Sequence, residues 1–306
     1  MRMNTNLGII DSIIKLKKEK DAIILAHNYQ IGEVQDIADY VGDSLGLSIK
    51  ASEVQNKVIV FCGVRFMAET AKILNPTKTV LLPDESAGCP MANMITAKNV
   101  IELRKEHPDA IIVCYVNSTA EVKANIDICC TSANAVNIVN SLPKDREIIF
   151  IPDKYLGSYV ESQTKRDLIL WHGYCPTHVL ITAKAIIQMK KDHLDAEVLV
   201  HPECTPEVIE IADKVMSTGG MLKYVHESQN TEFIIGTEIG IIYRLQKQNP
   251  KKTFYPAQKN TICPNMKLIN LEKIMWSLED NIYEITLPDD IIKKAKASLE
   301  KMKEFA

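Results

Sequence analysis

What this sequence lacks narrows its function before any motif is read. No apolar run approaches the ~18 residues a membrane-crossing helix needs, and no Cys-x-x-Cys pair occurs. The first absence excludes a bilayer span, and the second argues against a structural zinc site, which uses close-spaced ligands. There is no excess of positive charge: the net charge is −3 and the pI about 6.2. That balance excludes a standing attraction to nucleic acid or an anionic membrane and leaves small molecules as the expected partners. Residues 1–20 alternate isoleucines with Asp, Lys and Glu, so no unbroken apolar core of signal-peptide length is present and a cytoplasmic location is expected. In a reducing compartment, eight cysteines read as metal ligands or buried thiols, not as a disulfide framework.

Apolar residues make up 46 % and charged residues 25 %, enough to bury a sizeable core. With only 13 prolines in 306 residues, chance gives about 0.3 Cys-Pro pairs, counting matches by simple frequency. Three occur, Cys89-Pro90, Cys175-Pro176 and Cys263-Pro264, at intervals of 86 and 88 residues. A threefold internal repeat with one thiolate per repeat is the economical explanation.

The rest of the chain keeps the same period. A leading helix over residues 7–20 places Ile9, Ile10, Ile13, Ile14 and Leu16 on one face. Short apolar runs of the kind a buried parallel strand shows begin at Ala22, Ala110 and Ala196. Each is followed by helical periodicity, a turn, a helix, and further strands and helices leading to the Cys-Pro. The pattern predicts an α/β fold of three pseudo-symmetric three-layer αβα domains, with short parallel sheets around a central site. The expected units are residues 1–95, 96–180 and 181–270, with the tail helices of 271–306 packing back on the first.

Three positions recur in each repeat. The first strand ends in His27 and Tyr29, in Tyr115 and Asn117, and in His201 and Glu203. Residues i and i+2 of a strand share a face, and the carboxyl end of a parallel sheet is where ligands bind. A hydroxyl stands at a helix start in Ser44, Ser132 and Thr218, again 88 and 86 residues apart. Such residues serve equally as plain N-caps or as part of an anion site at the free N–H groups. The third position is the Cys-Pro. A lone cysteine is ordinarily a buried thiol, and Cys62, Cys114, Cys129, Cys130 and Cys204 read that way, with Cys129-Cys130 a candidate redox pair. The shared period sets Cys89, Cys175 and Cys263 apart. Three thiolates could hold a cubic iron-sulfur cluster by three irons and leave the fourth open as a Lewis acid, with His178 three residues beyond Cys175. A dehydratase of that kind and a non-enzymatic iron-sulfur sensor both remain open on these residues.

The ordered segments Ala26-His-Asn-Tyr-Gln30, Gly42-Asp-Ser44, Ala87-Gly-Cys-Pro-Met91, Tyr115-Val-Asn117, Cys130-Thr-Ser132, His201-Pro-Glu-Cys204, Gly236-Thr-Glu-Ile-Gly240 and Cys263-Pro-Asn-Met-Lys267 resemble the quinolinate synthase family across nearly the whole chain. The resemblance implies one 4Fe-4S cluster on Cys89, Cys175 and Cys263. It implies condensation of iminosuccinate with dihydroxyacetone phosphate to quinolinate, with loss of phosphate and water, in NAD biosynthesis. Substrate-binding residues carried over by position are His27, Ser44, Tyr115, Asn117, Ser132, His201, Glu203 and Thr218. Tyr29 and Glu203 are implied as proton-transfer residues, His27, Tyr115 and His201 as further catalytic groups, and His178 as lying near the cluster. An unstable substrate further implies a functional link to an aspartate oxidase or aspartate dehydrogenase. Thr218-Gly219-Gly220 departs from the family pattern, which has a hydroxyl residue after the threonine.

Overall fold

The computed structural model describes residues 2–305, with side chains from residue 8 onward. Helix α1 (Arg2–Glu19) leads into β1 (Ala22–His27), α2 (Gly32–Ile37), β2 (Tyr40–Gly42), α3 (Ser44–Glu53), β3 (Val58–Cys62), α4 (Arg65–Leu74) and β4 (Thr79–Leu81). Helix α5 (Ala97–Glu106) opens the next repeat. It continues through β5 (Ile111–Tyr115), α6 (Ala120–Lys123), β6 (Ile128–Cys130), α7 (Ala135–Ser141), β7 (Ile148–Ile151), α8 (Lys154–Thr164) and β8 (Ile169–Leu170). The third comprises α9 (Ala183–Asp192), β9 (Glu197–Val200), α10 (Pro206–Glu210), β10 (Lys214–Val215), α11 (Thr218–Glu227), β11 (Glu232–Gly236), α12 (Ile241–Gln248) and β12 (Thr253–Pro256). Helices α13 (Leu271–Asp280) and α14 (Asp289–Lys303) close the chain.

Each repeat forms a four-stranded, all-parallel sheet, in the orders β2-β1-β3-β4, β6-β5-β7-β8 and β10-β9-β11-β12. This topology places the site. The connections leaving the two central strands run to opposite sides of the sheet, which opens a crevice beyond their carboxyl ends. Three sheets supply three such crevices.

The central strands are apolar because both faces are covered. Alternate residues divide between two cores: Val113 and Phe150 face the large core shared by all three sheets, while Ile112, Cys114, Ile149 and Ile151 face a smaller one behind the second sheet. A fully buried side chain of this size contributes about 1.5–3 kcal/mol, and Phe150→Ala would cost about 3–5 kcal/mol through the cavity it leaves.

The edge strands β2, β6 and β10, of two or three residues each, stand where the sequence suggests turns or, at Tyr40 and over Lys214–Val215, the end of a helix. Such short segments cannot show a period of two. A repeated aspartate holds them in place: Asp39, Asp127 and Asp213, 88 and 86 residues apart, accept the backbone N–H of Ile24, Ile112 and Val198 at 2.8, 2.8 and 2.7 Å. Helix α9 is also absent from the sequence reading, although Ile95-Thr-Ala-Lys98, which starts α5, recurs as Ile181-Thr-Ala-Lys184. In both, the threonine hydroxyl caps the helix.

The expected return of the tail to the first repeat needs correcting for its last helix. Residues 283–285 pair with the β4 edge and α13 packs on α1. Helix α14 lies chiefly over the second repeat, where Ser298 donates to the Lys123 carbonyl at 3.1 Å and the Asn134 amide donates to the Met302 carbonyl at 3.3 Å. Its apolar face, Ile292, Ala295, Leu299 and Met302, fits the groove between α4, α6 and β6.

Candidate active site

A cavity lies where the three sets of strand ends meet. All thirteen residues singled out in the sequence line it: His27, Tyr29, Ser44, Cys89, Tyr115, Asn117, Ser132, Cys175, His178, His201, Glu203, Thr218 and Cys263. Among the described residues no lysine or arginine lines it, so an anionic ligand there would be held by neutral donors and helix ends.

The strand-end histidines of the first and third repeats are held alike. The Tyr29 N–H donates to His27 Nδ1 at 3.2 Å, and the Glu203 N–H donates to His201 Nδ1 at 3.3 Å. Burial lowers both imidazoles to about 3, helped for His27 by His201 and Lys267 and opposed for His201 by Glu203. Both rings are therefore neutral at pH 7. With Nδ1 accepting, the hydrogen sits on Nε2. His201 directs that hydrogen at Ser132 Oγ, 3.1 Å away.

A second chain of contacts crosses the cavity. Tyr29 Oη lies 2.5 Å from Thr237 Oγ1, which lies 2.8 Å from His178 Nε2, and His178 Nδ1 lies 2.6 Å from Glu203 Oε2. Tyr115 donates to the same carboxylate. Burial opposes the Glu203 charge, but the hydrogen bonds it accepts from His178 and Tyr115 favour the carboxylate and keep the carboxyl below its usual range. Burial, with the Glu203 charge nearby, pushes the Tyr29 and Tyr115 phenols upward. A carboxylate can only accept, so His178 turns its Nδ1 hydrogen to Glu203 and its Nε2 to the Thr237 hydroxyl, and Thr237 in turn can accept from Tyr29. The arrangement can draw a proton from a phenol that would not otherwise release one.

The helix-start hydroxyls are not caps. Asp43 caps α3 through the Gly46 N–H at 2.8 Å, and Ser217 caps α11 through the Gly220 N–H at 3.1 Å. Ser132 stands in the turn before α7, where Asn134 Oδ1 takes the Thr131 N–H. Ser44 and Ser132 are thus left facing the cavity. Thr218 accepts from Asn28 Nδ2 at 3.0 Å, and Asn28 is itself held by Arg244 at 2.7 Å. At the departure from the family pattern, a Cβ on Gly219 would collide with Asp43 Oδ2, which accepts the Gly219 N–H.

Each Cys-Pro opens a short 3-10 turn, Met91–Met94, His178–Leu180 and Pro264–Lys267. Proline lacks an N–H, and the amides that follow point back at the sulfur: those of Ala92 and Met91 at Cys89, of His178 at Cys175, and of Met266 and Asn265 at Cys263. Burial pushes all three thiols up, Cys89 to about 12, while the turn amides pull the other way. Donors gathered at a buried sulfur suit a thiolate that a metal neutralises. The three cysteines therefore fit a metal group. The donor atoms of Cys175, His178 and Glu203 also lie within 4.8 Å of one another, a grouping able to hold a metal ion. The remaining five cysteines are fully buried away from the cavity, and all eight are free of disulfides. Cys129 and Cys130 are successive residues of β6, whose side chains point to opposite faces.

Sequence reasoning assigned no role to Asn28, Asp43, Asp153, Thr237, Glu238, Arg244 or Lys267. Thr237 and Glu238 follow β11 as Tyr29 follows β1, so the second central strand of each sheet was the signal to use.

A crevice of parallel-strand ends carrying a buried chain of Tyr, Thr, His and Glu, neutral imidazole donors and three thiols defines an α/β enzyme for small molecules, with side chains able to hold a metal. The chain belongs to the quinolinate synthetase A family: the family model, described as quinolinate synthetase A protein, matches residues 11–304. Among its relatives are the quinolinate synthases of Dehalococcoides mccartyi strain CBDB1, 53 % identical over 96 % of this chain and 97 % of that one, and of Thermodesulfovibrio yellowstonii, 54 % identical over the same shares. That of Pyrobaculum aerophilum is 48 % identical over 97 % of this chain and 99 % of its own. The relatives named are enzymes, which gives the sensor reading no support. No helix among the described residues is long and apolar enough to cross a membrane.

Proposed function

We propose that this enzyme is a quinolinate synthase, condensing iminosuccinate with dihydroxyacetone phosphate to form quinolinate, phosphate and water for NAD biosynthesis. The observation that carries the reading is the convergence of all thirteen residues on one cavity. Cys89, Cys175 and Cys263 would hold one 4Fe-4S cluster, and Asp153 and Glu238 stand behind two of them: Asp153, whose carboxyl burial and the Glu203 charge push up, accepts the Cys175 N–H, and Glu238 accepts the Cys263 N–H. Bound there, the cluster supplies an open iron that assists departure of hydroxide, a poor leaving group. We take residues 1–95, 96–180 and 181–270 as the three units around it.

The chain's own residues supply the rest. Iminosuccinate carries two carboxylates and the triose a phosphate. Ser44 and Thr218 at two helix starts, Ser132 in its turn, the side-chain N–H group of Asn117, and the Nε2 hydrogens of His27 and His201 bind and orient these groups without a fixed positive charge. Tyr29 moves protons at the reacting carbon skeleton, its own proton being drawn through Thr237 toward His178 and Glu203. The burial of the site excludes competing water from an unstable imine, which an aspartate oxidase or aspartate dehydrogenase would supply.

The test is anaerobic purification followed by two assays, iron and acid-labile sulfide per chain and quinolinate formed from the two substrates. About four of each per chain together with quinolinate supports the reading. Cluster without product points to another dehydratase, and absence of iron after anaerobic reconstitution removes the cluster from the proposal.

A further inference from the structure

The third thiol turn is tied to the rest of the site by a buried ion pair. Cys263 donates its backbone N–H to Glu238 Oε1 at 3.2 Å, and Glu238 Oε2 accepts the Gly240 N–H at 2.8 Å. Lys267, four residues beyond the thiol and on the same turn, places Nζ 2.9 Å from Oε1 and 3.1 Å from Oε2, and also donates to the Tyr29 carbonyl. The Glu238 side chain has no exposed surface. The knot leaves no room for a side chain at Gly240: a Cβ there would lie 2.6 Å from the Tyr29 carbonyl oxygen and 2.7 Å from both Glu238 Oε2 and Lys267 Nζ.

A buried carboxylate next to a thiol is a poor device for stability alone, because desolvation consumes most of what the ion pair returns and the negative charge disfavours a thiolate. Its geometry is better explained by position. One carboxylate holds the cysteine amide, one ammonium neutralises it, and that ammonium reaches the backbone of the residue whose phenol enters the cavity. We infer that the Glu238–Lys267 pair is a positioning clamp that sets the Cys263 thiol of the third repeat against Tyr29 of the first. The inference rests on the reading of Cys263 as a cluster ligand only for its metal readout. Glu238 and Lys267 are positioning residues, since both act through Cys263 and Tyr29.

The experiment compares wild type, Glu238→Gln, Lys267→Met, Lys267→Arg and the double variant Glu238→Gln/Lys267→Met in two ways. In metal-free protein, iodoacetamide labelling of Cys263 is read by mass spectrometry against Cys89 in the same molecule. In anaerobically reconstituted protein, the rate of iron release to a ferrous chelator is read. Each charge-removing single variant is expected to raise Cys263 labelling several-fold with Cys89 unchanged, and to speed iron release by about tenfold, as for loss of a partner behind a metal ligand. Lys267→Arg should restore much of both. The double variant should fall short of the summed defects, because it leaves no unpaired buried charge. Wild-type labelling in both single variants, or an equal rise at Cys89 and Cys263 that marks general loosening, overturns the clamp. Should wild type itself take up no iron, the cluster reading falls, while the labelling ratio still decides the clamp.

Discussion

The cavity has two rims of different construction. The polar rim, His27, Tyr29, Tyr115, Asn117, His201 and Glu203, sits at the ends of β1, β5 and β9, each central in its sheet. The thiol rim sits on the loops that follow the outer strands β4, β8 and β12. Central strands are held on both sides by ladder hydrogen bonds, so the polar groups are oriented before any ligand arrives. The thiols depend on one short turn each, shaped by proline and by the amides at the sulfur. The lesson is a division of labour: the sheets orient the polar groups, and the turns present the thiols.

The strongest way to break this division is at the thiols. Cys175→Ala, Cys89→Ala or Cys263→Ala should reduce iron, sulfide and quinolinate formation to background, whereas Cys62→Ala, which does not line the cavity, should leave all three intact. A fully loaded and active Cys175→Ala protein would remove the thiol rim from the mechanism. The reciprocal change is Tyr29→Phe, with unaltered iron content and turnover reduced by about 10²–10⁴-fold, the usual worth of a proton-transfer group. Iron loss in that variant would show the rims to be one unit.

The neutral imidazole of His27 gives the polar rim a pH signature. Its folded value of about 3 lies below the ordinary 6.5. Below pH 6.5 the unfolded chain takes up a proton that the folded site refuses. Stability is therefore complete above about pH 6.5 and declines as pH falls toward 3, by up to about 4 kcal/mol from this group. Denaturant melts of metal-free His27→Gln should show a shallower decline across that window than wild type, and an unchanged slope would mean that His27 is charged in the folded protein. A smaller effect is expected at Ser132→Ala. Loss of one neutral hydrogen bond of about 1 kcal/mol should raise KM about fivefold with iron content and kcat near wild type. A fall in kcat alone would move Ser132 from binding to chemistry.

Much of the design is legible in the order of residues because the repeat makes it so. A central parallel strand is a continuous apolar run, and three such runs at a common period announce three sheets whose equivalent ends must play equivalent parts. That argument reached the three thiols, both strand-end histidines and Glu203. It failed where the signal is short or where partners are distant in sequence. Strands β2, β6 and β10 have too few residues to display alternation, although the aspartates before them repeat. The hydroxyls of Ser44 and Thr218 could not be told from caps until Asp43 and Ser217 were seen to fill that role. Helix α14, amphipathic and plainly a helix, carries nothing that names its neighbour.

Sequence alone thus determined the fold class, the threefold period and the chemical types gathered at the site, since local periodicity follows directly from helix and strand geometry. Only the tertiary structure decided how those groups act. Tyr29 meets Thr237 across 208 residues and Cys263 is braced by Glu238 and Lys267 behind it. Hydrogen-bond direction and burial, which set each proton and each charge, are properties of neighbours in space, and neighbours in space are what the order of residues leaves unspecified.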